Sequence, residues 1–560
     1  MSPEIFGPPN TRFIDALLSA VLCGLGLHLL FNKFERQYLH LLKFALLFSP
    51  LAPLYIILPH YRGIALNVVL TAYGTTYATL LMSLIIYRLS PIHPLWKYPG
   101  PVLAKCTKFW GVYHSSTGCI HHTLSDLHRY YGSVVRTGPN ELSFCDVDAI
   151  QPILGADGMG KGPVWDGRHS PKRKEVSLIG IRDTTEHLQR RKVWNRAFNI
   201  SRIKKYEPIL RVRVDQLVDA LQDLSKTNAQ VDLAEWMSSF AYDFMGDMAF
   251  GGFFELMRDG DVDGLWKLME AGIRVNAYSQ HIPWAAPVLY ALPGLGKASA
   301  RLIDFVTAMA NKRIQRGMAF TGEDLSSHLL DEVSPSPKPM PLSVYSSDAL
   351  LAVVAGSDTT ATALSNMFFY ILSDKTFFEE LRNEIDANFP IKEGRIPADD
   401  SSKLSSMPYL NAVINEALRL QPPVPSGLQR APDVGTGGKL IGSTFVPEGT
   451  GVYLPPYVIH RDERYFYPNP NAFWPERWLS GDPNTKTNQA AYIPYSVGPM
   501  NCAGKLLAQL ELRVVLATLV QRFDMELKPQ WNPLEWETNL QDFFVSTKGT
   551  LPVIIKPRVL

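Results

Sequence analysis

Cys502 is the residue around which chemistry can be built. The chain has five cysteines, Cys23, Cys106, Cys119, Cys145 and Cys502, and none belongs to a CxxC pair or a zinc-ligand spacing. An odd count in so long a chain argues against a disulfide framework. It fits a reducing compartment, where most thiols are small buried hydrophobes. Cys502 differs through its neighbours. It sits in Tyr495-Ser496-Val497-Gly498-Pro499-Met500-Asn501-Cys502-Ala503-Gly504, directly ahead of a helical run from Lys505 to Phe523. Gly498 and Gly504 permit a tight backbone path that aims peptide N–H groups at sulfur. The positive N-terminal end of the following helix favours an anionic sulfur. A thiolate held in this way is equipped to ligate iron and to push electron density onto it.

A second constellation lies upstream. Gly356, Ser357, Asp358, Thr359 and Thr360 interrupt the apolar run that begins at Leu350, and polar groups inside such a helix are costly without a purpose. Gly356 weakens the helix by about 1 kcal/mol relative to alanine. The Thr359 hydroxyl can bond the carbonyl of Ala355, four residues back, so a local kink and groove are expected. Asp358 and Thr359 then form an acid–alcohol pair able to hold and move protons beside a bound oxygen. Glu416 and Arg419, in NEALRL, are three apart on a helix and can pair. His187 and Arg191 are four apart and share a helix face.

Taken in order, these motifs resemble the cytochrome P450 family over roughly Pro101 to Leu560, specifically its membrane-bound, fungal-type members. The cysteine segment is similar to the family's haem-binding signature, with an aromatic residue seven before the cysteine and glycines four before and two after. Tyr495 replaces the usual Phe, and Met500 stands where an Arg commonly contacts a haem propionate. The resemblance implies that Cys502 is the axial ligand of haem iron, with Tyr495, Gly498 and Gly504 shaping its loop. It implies propionate contacts from Arg430, with His187 and Arg191 repairing the charge missing at Met500. It assigns oxygen activation to Asp358 and Thr359, leaves Thr360 and Trp194 to packing, and makes Glu416, Arg419 and Arg477 a buried structural triad.

The implied activity is that of a haem-thiolate monooxygenase, inserting one oxygen atom from O2 into a hydrophobic small molecule of secondary metabolism, a terpenoid or polyketide. Val354, Ala355, Val424 to Gly427 and Phe543 to Val545 would line the substrate side. The implied cofactor is haem b. No GxGxxG occurs, so electrons from NADPH must arrive through a separate membrane-bound reductase, with Lys505 and Arg513 as docking charges. A haem-thiolate isomerase or dehydratase, and a non-catalytic membrane haem-binding protein, are the alternatives. The formal charge of +2, without blocks of like charge, names no nucleic-acid partner.

These residues need a scaffold. Of 560 residues, 46% are apolar and 19% charged, a globular composition. The pattern reads as mainly α with small β-sheets, an α+β body of the P450 fold preceded by transmembrane helices. Helices are expected over Ala349–Ser373, Met407–Leu420 and Lys505–Phe523. Strands are expected over 133–136, 141–145, 439–445 and 452–454, and a surface loop over 333–341. Residues 1–90 read as a membrane-anchor region with one to three transmembrane helices, 91–101 as a proline-rich connector and 102–560 as the catalytic domain. The apolar stretch Phe13 to Phe31 approaches the roughly 20 residues that span a bilayer. Phe44 to Leu58 is shorter and carries two prolines, and Ile64 to Ile86 is long enough. Basic clusters at Lys33, Arg36 and Lys43, and at Arg88, Lys97, Lys105 and Lys108, fall on one side for one or three spans. The expected location is the endoplasmic reticulum membrane, with the catalytic domain facing the cytosol. Residues 1–10 lack a basic residue, which fits a cleaved leader poorly.

Overall fold

The structure, a computed structural model, describes residues 9–34, 39–57, 66–168, 175–227, 230–262, 264–317, 322–335, 338–391, 400–479, 481 and 483–558. Arg36, Leu58, Ile64, Ala65 and residues 1–8, on which parts of the membrane reading rest, lie outside these. The chain divides into two compact units, Met1–Thr107 and Lys108–Leu560.

Among the described residues the first unit holds four apolar helices, α1 (Pro9–Phe34), α2 (Leu39–Phe48), α3 (Leu51–Ile57) and α4 (Leu66–Leu89), and a short helical turn at Val102–Cys106. α1 packs along α4 through small residues, with Ala16, Ala20, Ala72 and Thr76 buried. A Cβ on Gly24 would lie 2.6 Å from the Thr76 carbonyl oxygen, so glycine is what lets the backbones approach. Among the described residues one helix, Val69–Leu89, is long and apolar enough to cross a membrane. The apolar parts of α1 and of α2–α3, Ile14–Leu30 and Phe44–Tyr55, are shorter. The strongest candidate span is therefore the third apolar stretch. α1 begins among polar residues and ends at Lys33 and Phe34, which trims its apolar core.

The second unit is helix-rich with small sheets. Its helices that matter below are α5 (Thr184–Ala197), α6 (Leu233–Phe250), α7 (Leu265–Ser279), α8 (Leu342–Ser373), α9 (Pro408–Leu420) and α10 (Lys505–Arg522). α8 is apolar nearly all round and buried from Tyr345 to Ile371 except near Ala355, as expected for a helix through the core. α6 packs along its length. α9 has Pro408 in its first turn and stops before Pro422 and Pro423, the asymmetry that proline imposes on helix ends.

The largest sheet has five strands, β1 (Val134–Gly138), β2 (Glu141–Phe144), β3 (Gly160–Lys161), β4 (Arg430–Ala431) and β5 (Gly451–Tyr453), in the order β1-β2-β5-β4-β3. β1 and β2 form the expected hairpin. The stretch 439–445 is not one strand. It turns at Gly442 and Ser443 into an antiparallel pair, Gly438–Ile441 with Thr444–Pro447, because Gly442 takes a φ of +55° that hairpin turns require. Residues 333–335 and 338–341 are turn and coil, in line with the loop expectation.

Candidate functional site

The loop before α10 is shaped from its backbone outward. Gly498 has φ +76°, and a Cβ there would run into the Leu154 carbonyl, so only glycine fits. Gly504 behaves differently from the expectation. Its φ is −83° and a Cβ would meet no atom within 4 Å, so the chain path does not demand glycine; its missing side chain leaves cavity space open. The Cys502 N–H donates to the Tyr495 carbonyl at 2.9 Å, closing the loop. Burial pushes the Cys502 thiol up, opposed by the N–H groups of Gly504 and Lys505 that point at the sulfur and by the charges of Arg191 and Lys505. The expected N–H cradle is thus present.

Cys502 is exposed, but into a cavity of about 280 Å³. Arg430, His187, Arg191, Tyr495, Gly504 and Thr359 line the same space. Gly498 does not, being packed back against Leu154 and Gly155. Of the expected substrate-side residues, Ala355, Val424, Gly427, Phe544 and Val545 line it. Phe543 packs instead with Ile273 and Ala277 of α7, with Val354 against that cluster. Trp194 is core, donating Nε1–H to Asp348 at 3.3 Å, yet its ring also reaches the cavity wall.

One side of the cavity is a ring of buried basic residues. Arg191 donates from Nη1 to the Asn501 carbonyl at 2.6 Å and from Nη2 to Asn501 Oδ1 at 2.9 Å, which ties α5 to the cysteine loop. Arg430 contacts the Met500 sulfur through Nη1, while its Nε is buried without a partner. His187 Nδ1 is likewise unpartnered; burial first, then Lys161, Arg191, Arg430 and Arg190, push the imidazole down to about 3. The sequence reading missed Lys161. It pairs across β3 and β4 directly opposite Arg430, lines the cavity and donates to the Leu178 carbonyl at 2.9 Å. Burial and the charges of Arg430, Arg191 and Arg190 depress its ammonium to about 6.

On the facing helix α8, Thr359 Oγ1 donates to the Ala355 carbonyl at 2.7 Å, as its spacing implied. α8 stays helical throughout. Where Gly356 lacks a side chain, Met245 of α6 fills the space, its sulfur 2.6 Å from where a Cβ would be. Asp358 is not among the residues that line the cavity. It turns to α6, where Tyr242 donates to Oδ1 at 2.9 Å, and Oδ2 is buried without a partner. Burial raises the Asp358 carboxyl to about 6 against the hydrogen bond from Tyr242 and the nearby charge of Lys548. Lys548, pushed down to about 8 chiefly by burial, donates to Ser238 at 2.8 Å. Tyr242 gave no signal in the sequence, standing among other aromatics of an apolar helix.

Glu416, Arg419 and Arg477 come together away from the cavity, all fully buried. Glu416 receives Arg419 at 2.8 Å through both oxygens and Arg477 at 2.9 Å, with the Trp478 indole and the Trp474 N–H completing its shell at 3.0 Å. Arg419 also donates to the His460 carbonyl at 2.7 Å. His460, unremarked in the sequence, in turn accepts from the Ile493 N–H at 2.9 Å, just ahead of the cysteine loop. Arg513 is half-buried and engaged with Asn411 at 2.7 Å, which weakens its reading as a docking charge; Lys505 is exposed.

A cytochrome P450 family profile matches residues 101–551. Similar proteins include cytochrome P450 67 of Uromyces fabae, 31% identical over 81% of this chain and 84% of that protein. Another is the P450 monooxygenase orf5 of Eupenicillium brefeldianum, 31% identical over 81% and 89%. Tryprostatin B 6-hydroxylase of Neosartorya fischeri is 29% identical over 98% of this chain and all of that protein.

Proposed function

The chain belongs to the cytochrome P450 family and is a haem-thiolate monooxygenase, and from that premise we propose that Cys502 holds the iron of haem b while Lys161, His187, Arg191 and Arg430 hold its propionates. The residues present fit the group. A thiol cradled by two peptide N–H groups stands in the same cavity as four buried cationic or basic side chains, and the orphaned Nε of Arg430 and Nδ1 of His187 face no protein acceptor. Buried charge of one sign calls for a counter-ion, and two carboxylates supply it. Met500 does not leave a gap in this scheme, because Arg430 reaches its sulfur and Lys161 adds a cation from the neighbouring strand.

Bound haem supplies the activation of O2 that places one oxygen atom in a C–H bond of a small-molecule substrate. The second oxygen atom leaves as water, so protons must cross the protein. Thr359 commits its proton to Ala355, leaving oxygen lone pairs on the cavity side to hold a water in line. Asp358, poised near pH 6 by burial, can bind and release a proton under working conditions, and Tyr242 fixes the orientation of its carboxyl. The apolar wall around Ala355, Val424 and Val545 excludes bulk water and selects a hydrophobic substrate. The hydroxylase activity named for the Neosartorya relative supports a secondary metabolite as that substrate.

Electrons from NADPH reach the site through a separate membrane-bound reductase, and exposed Lys505 is a docking charge near the cysteine loop. The helix Val69–Leu89 and the exposed apolar side chains of Leu70, Leu81, Met82 and Ile86 support anchoring in a lipid bilayer, in the endoplasmic reticulum with the catalytic unit towards the cytosol. The observation that carries the reading is Cys502 in its N–H cradle at the cavity. Its test is the absorption of the reduced, carbon monoxide-bound protein: the red-shifted Soret band of a thiolate ligand is expected, and its loss in Cys502→Ser. A wild-type protein that binds haem without that band overturns the ligand assignment.

A further inference from the structure

Trp165 and Phe544, edge to face at 5.9 Å, form with Gly427 a partition shared by the main cavity and a smaller one of about 40 Å³. That is room for one small polar group. Its walls are polar where those of the main cavity are apolar, with Arg168, Glu141, Gln280, His281, Asp542 and Thr137 facing in.

Most of these groups are already satisfied. Glu141 pairs with Lys108 at 3.1 Å and accepts from Gln429 at 3.0 Å. His281 is kept neutral by burial, its pKa pushed down to about 4, and its Nε2 meets Ser115 Oγ at 2.8 Å. Asp542 accepts from the Phe544 N–H at 2.9 Å and from Ser426.

Among the charged groups Arg168 is the exception, while Thr137 Oγ1 and the Tyr453 hydroxyl, which line the same cavity, are also buried without a partner. Arg168 Nη1 donates to Gln280 Oε1 at 2.7 Å, and the guanidinium lies 3.5 Å from the Phe544 ring centroid and 5.8 Å from that of Trp165. Among the described residues no carboxylate forms an ion pair with it and no acceptor takes Nε or Nη2. Asp542 is the anionic group nearest in influence, and it lies beyond ion-pair distance. Guanidinium does not shed its proton to escape burial. The rings orient it without neutralising it, and two parallel N–H donors on its free edge match the geometry of a carboxylate.

We propose that Arg168, steadied by Gln280 and stacked on Phe544, is a substrate-recognition residue that binds a carboxylate carried by the substrate. The apolar body of the molecule then lies past the partition in the main cavity, towards Thr359. The substrate class is an amphipathic organic acid. This rests on the monooxygenase reading for the identity of the main cavity, and it adds the charge and the end by which the substrate is held. Phe544, in the left-handed region at φ +85°, sets the partition at the tip of the hairpin 541–547.

The test compares matched acid–amide pairs, dodecanoate with dodecanamide and 4-cyclohexylbutyrate with 4-cyclohexylbutanamide, by quenching of tryptophan fluorescence in the haem-loaded full chain. At about pH 8, where the acids are ionised, at least one acid is expected to bind about tenfold or more tightly than its amide, the scale of a charged hydrogen bond. Arg168→Gln should erase that preference while amide affinity stays within about twofold, and Arg168→Lys should retain part of it. Absence of acid preference in both pairs, failure of both acids to bind, or a preference that survives in Arg168→Gln each overturns the subsite. The carbon monoxide spectrum of the same samples separates the two ideas. A missing thiolate band overturns the haem-thiolate reading, whereas a normal band without acid preference overturns only Arg168. A normal band in both variants also confirms that they fold.

Discussion

Thr359 and Asp358 are neighbours in sequence but serve different surroundings, one facing the cavity and the other facing Tyr242 on α6. Replacing Thr359 by Ala removes the hydroxyl proposed to order water and leaves the Tyr242–Asp358 contact in place. Oxygen uptake is expected to continue while product per oxygen consumed falls by about tenfold or more; an unchanged ratio removes Thr359 from proton handling. The Thr359–Ala355 bond was legible because it is local to one helical turn. Lys161 was not legible, since its place beside Arg430 comes from two strands of two residues each, far apart in the chain. Lys161 also gives a pH signature. Burial and the neighbouring arginines push its ammonium down to about 6, and an anionic propionate held there as proposed would raise it, so haem binding is expected to take up a proton above that pH. The gain in affinity is complete below about pH 6 and declines as pH rises through the raised value. Haem transfer to apomyoglobin should therefore quicken between about pH 6 and 8, and Lys161→Met should flatten that dependence.

The cysteine loop and α10 act as one element, and its two glycines do different work. Gly498→Ala forces a side chain into a positive φ and against the Leu154 carbonyl, so the haem-free protein should lose at least about 1 kcal/mol, read as a lower melting temperature. Gly504→Ala meets no atom and should leave that melting temperature unchanged, yet its methyl group enters the cavity beside Cys502 and should lower haem occupancy. Equal effects of the two on melting would show that Gly504 is also a backbone requirement. Spacing alone flagged both glycines, because a motif records which residues occur and not which torsion each adopts. The same limit explains 439–445, where β-forming residues flank Gly442 and the sequence reading ran one strand through a hairpin. Long periodic helices such as α8 and α9 were legible to within a few residues at most of their ends, since burial on α8 and prolines on α9 mark them strongly.

At the scale of the molecule, the order of motifs along the chain identified the family, whereas the membrane-proximal unit was legible only as a set of apolar stretches. Length favours α4 as the span. The full chain should remain in the membrane pellet through alkaline carbonate extraction, and the double variant Leu81→Arg/Met82→Asp, which places charge on exposed positions of α4 at about 3 kcal/mol each mid-bilayer, should release it. Retention of the variant would move anchoring to α1. The ring formed by Lys161, His187, Arg191 and Arg430 bears on how the protein is made. Without a counter-ion these groups repel one another and depress one another's protonation, so the haem-free chain is the less stable species and ligand binding stabilises by mass action. If propionates neutralise the ring as proposed, haem-loaded copies should outlast haem-free ones under proteolysis, so that cofactor capture doubles as a check on assembly.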